Sequence, residues 1–124
     1  MKIRIRRADS FFSRYIRTRD KWTCQRCGSK HQPGTKGLHC AHMFTRRNES
    51  TRFDEANCCA LDYGCHAYLD SHPVEKVDFF KRRLGEAAFN ALRVRTNTFA
   101  KRDDKLVVAW CQEMLRRMDA THQG

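Results

Sequence analysis

The alternation of hydrophobic and polar positions predicts one helix, two short strands and then a run of helices. From Ala8 to Asp20 the apolar side chains recur on one helical stripe, which predicts an amphipathic helix. The apolar stripe consists of Phe12, Tyr15 and Ile16. The stretch from Gly28 to Gly37 is rich in turn residues and predicts a loop. Two strands are predicted at Leu38 to Phe44 and at Asn57 to Leu61, separated by a polar and basic loop.

The second half of the chain has the spacing of helices. A helix is predicted from Gly64 to about Ser71, because Pro73 suits the first turn of the next helix. Gly85 is typical of a helix end, a short helix follows from Glu86 to Val94, and the last helix is predicted from about Asp103 to Met118. The inward positions predicted for these helices are Val74, Val77, Phe80, Leu84, Phe89, Leu92, Val107, Trp110, Met114 and Met118.

Length and composition predict one domain with a thin core. The chain has 124 residues, of which 40% are hydrophobic and 31% charged, and a structural metal would add to the stability of such a domain. We predict a single domain over residues 1–124. It comprises an N-terminal helix at 8–20, a mixed core at about 22–72 and a helical part at 73–119.

The cysteine content favours metal binding over disulfides. There are seven cysteines, an odd number, and the N-terminus lacks the apolar run of a secretory signal. No stretch approaches the roughly 20 apolar residues of a membrane span. We therefore expect a soluble cytoplasmic protein without a membrane partner, in which thiols stay reduced and a Cys-x-x-Cys pair binds metal.

The charge predicts a polyanionic partner. The chain carries 25 Lys and Arg against 14 Asp and Glu, a net charge of +11. Basic side chains release counterions from nucleic acid and so give affinity that does not depend on base sequence. Nucleic acid is therefore the expected partner.

One constellation carries chemistry. Cys24-Gln25-Arg26-Cys27 has the spacing of a zinc knuckle, His42 ends the first predicted strand, and Asn57 opens the second. Cys65-His66 then opens a helix, with eight residues between Asn57 and His66. This order and spacing resemble the ββα-metal core of HNH nucleases over Arg19 to Leu84. The segment Cys58 to Leu92 is most similar to phage-encoded HNH proteins.

The resemblance implies an α+β fold, with a ββα-metal (HNH) core, a zinc knuckle and flanking N- and C-terminal helices. It implies a metal-dependent DNA endonuclease with His42 as general base, which an imidazole can be near neutral pH. Asn57 either ligates the metal or braces the loop that carries the base, and bracing is favoured. His66 and Asp70 lie four apart on one helix face, so both can meet one Mg²⁺ or Mn²⁺ ion. Phosphate contacts are expected from Arg46, Arg47 and Arg52.

The sequence departs from the family pattern at two places. Ala41 stands where many relatives carry a metal ligand, and His39 is displaced from it by about 6.6 Å along a strand. We therefore expect water or substrate oxygens there, and little effect from His39. Asp62 stands where a fourth cysteine is usual. The favoured structural zinc ligands are Cys24, Cys27, Asp62 and Cys65, with His31 and Cys58 as alternatives to Asp62; Cys59, Cys40 and Cys111 are expected to be core residues.

Two other functions compete with the enzyme. The first is a zinc-stabilised, non-catalytic nucleic-acid-binding module, and the second is a structural adaptor of a packaging or repair complex. Retention of His42, Asn57 and His66 favours the nuclease, because a binder has no need of all three. The phage resemblance suggests packaging or recombination proteins as partners, and the bacterial host cytoplasm as the compartment.

Overall fold

The computed structural model describes residues 3–98 and 100–123, with only the backbone for residues 120–123. Within these residues the fold is α+β, as predicted: five α-helices surround a two-stranded antiparallel sheet. Positions 1, 2, 99 and 124 of the predicted domain lie outside the described residues. In chain order the elements are α1 (Arg7–Arg19), β1 (Leu38–His42), a 3-10 turn (Glu55–Asn57), β2 (Cys58–Asp62), α2 (Tyr63–Asp70), α3 (Pro73–Leu84), α4 (Glu86–Thr96) and α5 (Asp104–Gln123).

The sheet lies between two layers of helices. Leu38 pairs with Asp62 at one end of the sheet, and His42 pairs with Cys58 at the other. Helices α1 and α5 pack on one side, here called the α1 face, with a core of Ala8, Phe12, Tyr15, Ile16, Cys40, Phe53, Cys58, Val107, Val108 and Cys111. The other side, the α2 face, has a core of Cys24, Leu38, Ala41, Cys59, Ala60, Leu61, Cys65, Leu69, Phe80 and Phe89. Because both faces are covered, β2 is buried along four consecutive residues.

The outer edge of β2 is satisfied by side chains and by the knuckle. Asp20 accepts a hydrogen bond from the Ala60 amide at 2.8 Å, and Arg19 donates to the Cys58 carbonyl at 2.8 Å. The Gln25 amide donates to the Ala60 carbonyl at 2.9 Å. No further strand is needed to pair these groups, and the sheet edge is blocked against intermolecular pairing.

A buried ion pair fixes the loop between the strands to α1. The Arg52 guanidinium donates to Asp9 at 2.6 and 3.0 Å and to the Arg4 carbonyl at 2.8 Å. Arg52 is only 5% exposed. Desolvation opposes ionisation of Asp9, but the bonds from Arg52 and from the Arg6 amide outweigh it, so the pKa of Asp9 is lowered. The expected phosphate contact of Arg52 is therefore corrected: this side chain anchors the loop.

Most predicted boundaries are confirmed to within two residues, and the deviations have local causes. β1 ends at His42 rather than Phe44, because the Phe44 backbone bonds to the Asn57 side chain instead of a strand partner. Asn57 itself lies in the turn before β2. Pro73 begins α3, and Gly85, at φ 87°, separates α3 from α4 as predicted.

Two predicted core positions are wrong. Val74 is 75% exposed and Trp110 is 40% exposed. The buried stripe of α3 is narrower than predicted and centres on Phe80, so its first turn faces solvent. Trp110 stacks edge-on against Tyr15, with ring centroids 4.9 Å apart, at the margin of the core.

We expect Asp9→Asn to lower the free energy of unfolding by about 3 to 5 kcal/mol, because it leaves a buried guanidinium without its counter-charge. Urea denaturation measures this. Glu113→Gln is the matched control, since it removes two solvent-exposed ion pairs on α5, with Arg116 and Arg117, and should change stability little. Equal effects of the two substitutions would contradict the anchoring role of the Asp9–Arg52 pair.

Candidate metal centre and histidine site

Four predicted zinc ligands come together at one end of the sheet. The side-chain donor atoms of Cys24, Cys27, Asp62 and Cys65 all lie within 4.8 Å of one another. The first two come from the knuckle, and the other two from the junction between β2 and α2. This group, the thiol cluster, could hold a metal ion such as zinc.

The knuckle is shaped by backbone conformations that few residues adopt. Lys21 and Trp22 follow α1 with φ of 58° and 53°, which turns the chain sharply toward the sheet. Gly28 has φ 79°, a conformation that favours glycine, and its amide donates to the Cys24 carbonyl at 2.9 Å. The Cys24 amide donates to the Ser29 carbonyl at 2.8 Å. These bonds present the two knuckle thiols on one side of the turn.

Asp62 completes the thiol cluster, as predicted. One carboxylate oxygen accepts from the Cys65 amide at 2.7 Å and so caps α2. The other accepts from the Cys27 thiol at 2.9 Å and from the Ser29 hydroxyl at 3.1 Å. The Cys27 thiol is the main reason why the pKa of Asp62 is lowered.

The two alternative fourth ligands lie outside the thiol cluster. His31 points its Nε2 at the Ser29 hydroxyl, 3.0 Å away. Cys58 pairs with His42 at the opposite end of the sheet. The structure therefore selects Asp62 among the three candidates.

The protonation chemistry of the thiol cluster fits a cation. Burial opposes ionisation of Cys24, yet backbone N–H bonds, first that of Cys27, lower the pKa of its thiol. Burial, with further contributions from Asp62 and Cys24, raises the pKa of Cys65 to about 12, although Arg26 donates to its sulfur at 3.4 Å. A divalent ion would remove the repulsion among these donors, so the residues fit zinc.

His42 is held in one defined tautomer. Its Nε2 lies 3.1 Å from the Arg52 carbonyl, which can only accept, so Nε2 carries the hydrogen and Nδ1 keeps a lone pair. Burial, followed by the charge of Arg46, lowers the pKa of His42 to about 4. The imidazole is therefore neutral near pH 7.

Asn57 braces the loop that orients His42. Its side chain is fully buried, accepts from the Phe44 amide at 2.8 Å, and donates to the carbonyls of Phe44 and Thr51 at 2.9 and 3.0 Å. Thr51 adjoins Arg52, whose carbonyl bonds to His42. Both ends of the Asn57 amide are thus engaged by the loop, the arrangement that the sequence interpretation favoured over metal ligation.

A pair of histidines, His39 and His66, lies on the α2 face. His66 has its Nε2 3.4 Å from the Asp70 carboxylate, and its Nδ1 2.9 Å from the Nδ1 of His39. Asp70 also accepts from Lys76 at 2.9 Å. The structure therefore brings His66 and Asp70 together as predicted. Asp70 contacts one nitrogen of the His66 ring, and His39 contacts the other.

His39 is the residue that sequence reasoning set aside. Its separation from Ala41 along β1 does not decide its role, because its neighbour is His66 on α2. A signal was present in the sequence: His39 and Ala41 have the same strand parity, and α2 follows β2 without a loop, so α2 must cover that face. His39 was expected to have little effect, but it contacts His66 directly.

The charge of Arg46, a loop residue, acts on His42 and on His66. Its charge contributes to lowering the pKa of both His42 and His66, after burial in each case. Its Nε lies 3.6 Å from Asp9. Arg47 is exposed on the same loop.

Comparisons with protein-family models, with curated proteins and with solved structures found no match to this chain. In the part of the chain that the structure describes, none of the helices has both the length and the apolar character needed to cross a membrane.

We expect the purified protein to hold about one tightly bound zinc atom in the thiol cluster, because three thiols and a carboxylate gather there. Elemental analysis measures it. Cys24→Ser should lose the zinc and unfold or strongly destabilise the domain. Cys111→Ser, which changes a buried thiol outside the thiol cluster, should be mild; equal losses in melting temperature would contradict the zinc assignment.

Proposed function

We propose that this protein is a metal-dependent DNA endonuclease of the HNH type. The observation that carries the proposal is the orientation of His42. Its ring presents one unprotonated nitrogen, held there by a carbonyl of a loop that Asn57 braces. A histidine fixed in this way offers a free lone pair to a proton of water, the role that the order of His42, Asn57 and His66 implies.

The chemistry of the proposed reaction begins with water activation. A phosphodiester repels hydroxide, so a positioned base must take a proton from the attacking water. The Nδ1 of His42 is the atom that would accept it, and the bond from Nε2 to the Arg52 carbonyl would stabilise the resulting imidazolium. The low pKa of His42 keeps Nδ1 free of a proton throughout the neutral range.

The residues that would hold the catalytic cation are His39 and His66. Their Nδ1 atoms lie 2.9 Å apart, and two imidazole nitrogens at this separation can share one divalent ion. Asp70 contacts the other nitrogen of His66, so in this arrangement it orients His66 rather than binding the ion. A cation bound there, Mg²⁺ or Mn²⁺, would neutralise charge on the scissile phosphate and the leaving oxygen.

DNA is the proposed substrate because the surface is strongly basic. The net charge of +11 supports binding to the phosphate backbone without base selection. Arg46 and Arg47 remain the proposed phosphate contacts, on the loop that follows His42. The protein would act with phage packaging or recombination proteins in a bacterial cytoplasm.

The second candidate is a zinc-stabilised nucleic-acid-binding module without catalysis. Ala41 favours it: this position is 1% exposed and offers no metal ligand where many relatives have one. The adaptor function has no specific observation in its favour.

The test of catalysis uses supercoiled plasmid with Mg²⁺ or Mn²⁺. We expect nicking that EDTA abolishes, because the cation is bound by only a few neutral ligands. Binding of a labelled duplex is measured in parallel by gel shift. Intact DNA binding without nicking in either metal would favour the binding module.

We expect His42→Ala to reduce the cleavage rate by on the order of 10² to 10⁴, because the base acts on water. DNA affinity and the zinc held by the thiol cluster of the purified protein should stay close to wild type, since His42 is not a member of that cluster. Single-turnover cleavage and elemental analysis measure these effects. His72→Ala is the control, since His72 is exposed and its ring hydrogen-bonds to Ser71 and to the Tyr68 carbonyl. A full cleavage rate in His42→Ala would exclude this base.

We expect His39→Ala and His66→Ala to raise the Mn²⁺ concentration needed for half-maximal cleavage by roughly tenfold or more, because each removes one of two nitrogen donors. Asp70→Asn should raise it by about 10- to 100-fold, the range for groups that orient a ligand. Metal titrations at fixed DNA concentration measure these shifts. An unchanged metal requirement in His39→Ala would remove His39 from the cation site.

A further inference from the structure

A second group of potential metal ligands lies on the α1 face. The donor atoms of Cys40, His42 and Cys58 are within 4.8 Å of one another. Cys40 and His42 are two residues apart on β1 and therefore lie on the same face. Cys58 on β2 pairs directly with His42, so all three share one face of the sheet. The thiol cluster is at the other end, about 13 Å away along four strand residues. The two groups are therefore separate.

The presence of an oriented imidazole distinguishes this group from ordinary core thiols. Cys40 and Cys58 are 8% and 1% exposed, which is common for cysteine. The Nε2 of His42 is occupied by the Arg52 carbonyl, so its lone pair is on Nδ1. Two thiols and one imidazole nitrogen form a donor set that suits thiophilic cations and not Mg²⁺.

We propose that Cys40, His42 and Cys58 form a second metal site, for a thiophilic divalent cation such as Zn²⁺. On binding, the two thiols release their protons to solvent and each sulfur forms a bond to the ion, while His42 donates its existing lone pair. Two thiolates match the charge of the ion, so the buried site stays neutral. Burial, followed by the contact with Cys40, raises the pKa of the Cys58 thiol well above its usual range, and the charge of Arg19 opposes this only in part. The bond to the ion must therefore displace the thiol proton.

The site has a consequence that rests on the proposed function. The Nδ1 lone pair of His42 cannot bind a metal ion and accept a proton from water at the same time. A thiophilic ion would therefore stop cleavage that Mg²⁺ supports, because the hard ion does not compete for the thiols. The proposed site is inhibitory.

Metal binding is tested without DNA. The full chain is dialysed against buffered Zn²⁺, and bound zinc is counted by elemental analysis. We expect Cys40→Ala, Cys58→Ala and His42→Ala each to bind one atom fewer than wild type. Cys111→Ala, which changes a core thiol that belongs to neither group of potential metal ligands among the described residues, should bind the wild-type number. Equal zinc in wild type and in all three site variants would overturn the proposal.

A second measurement needs no substitution. Full exchange with Cd²⁺ should give the ultraviolet thiolate-to-cadmium absorption of five sulfurs, three from the thiol cluster and two from Cys40 and Cys58. Absorption corresponding to three sulfurs would overturn the site even if a variant failed to fold.

Inhibition is measured as the ratio of plasmid nicking in Mg²⁺ with and without added Zn²⁺, for each variant against its own rate. We expect at least a tenfold decrease in wild type and a clearly smaller decrease in Cys58→Ala, in which zinc can still replace Mg²⁺ at His39 and His66. Equal inhibition in both would overturn the link to His42. A second metal atom without any nicking would support the site and contradict the nuclease, whereas nicking without the second atom would do the reverse.

Discussion

The two oxygens of the Asp62 carboxylate hold together β2, α2 and the knuckle. One caps α2 through the Cys65 amide, and the other contacts the Cys27 thiol of the knuckle. Asp62 is also the last residue of β2, so a single side chain joins the sheet, the helix and the knuckle. Because α2 starts at this cap, the position of His66 one turn along the helix follows from it. The same carboxylate therefore helps to position both the thiol cluster and His66.

The alternation of β1 separates two kinds of chemistry. His39 and Ala41 face α2, whereas Cys40 and His42 face α1. Two histidines three residues apart thus reach different environments: His39 contacts His66, and His42 is held by a carbonyl of the interstrand loop. On the proposed function, His42 would act on the attacking water from the α1 face, and His39 and His66 would hold the cation on the α2 face.

Local signals predicted much of this fold, and long-range contacts account for what was missed. Pro73, Gly85 and the Cys-x-x-Cys pair fix their surroundings by backbone or ligand chemistry, and they lie where the sequence predicts. The fourth member of the thiol cluster was also predicted, since Asp62 precedes Cys65 at ligand spacing. The roles of Arg52 and His39 depend on Asp9 and His66, which are distant in sequence. No spacing rule indicates such partners, because they are set by how α1 and α2 cover the sheet.

On the proposed function, a cation would bind although Ala41 offers no ligand. The position is buried in the core of the α2 face with Leu69 and Phe80, so an ionised carboxylate there would be desolvated without a partner. The half-buried His39 is the strand residue that reaches His66 instead. On the proposed function, two neutral imidazoles would replace an anionic ligand. Nitrogen donors bind Mn²⁺ in preference to Mg²⁺, and neutral donors leave more of the ion's charge for the phosphate. The loss of a ligand at position 41 would then change which metal supports cleavage rather than abolish it.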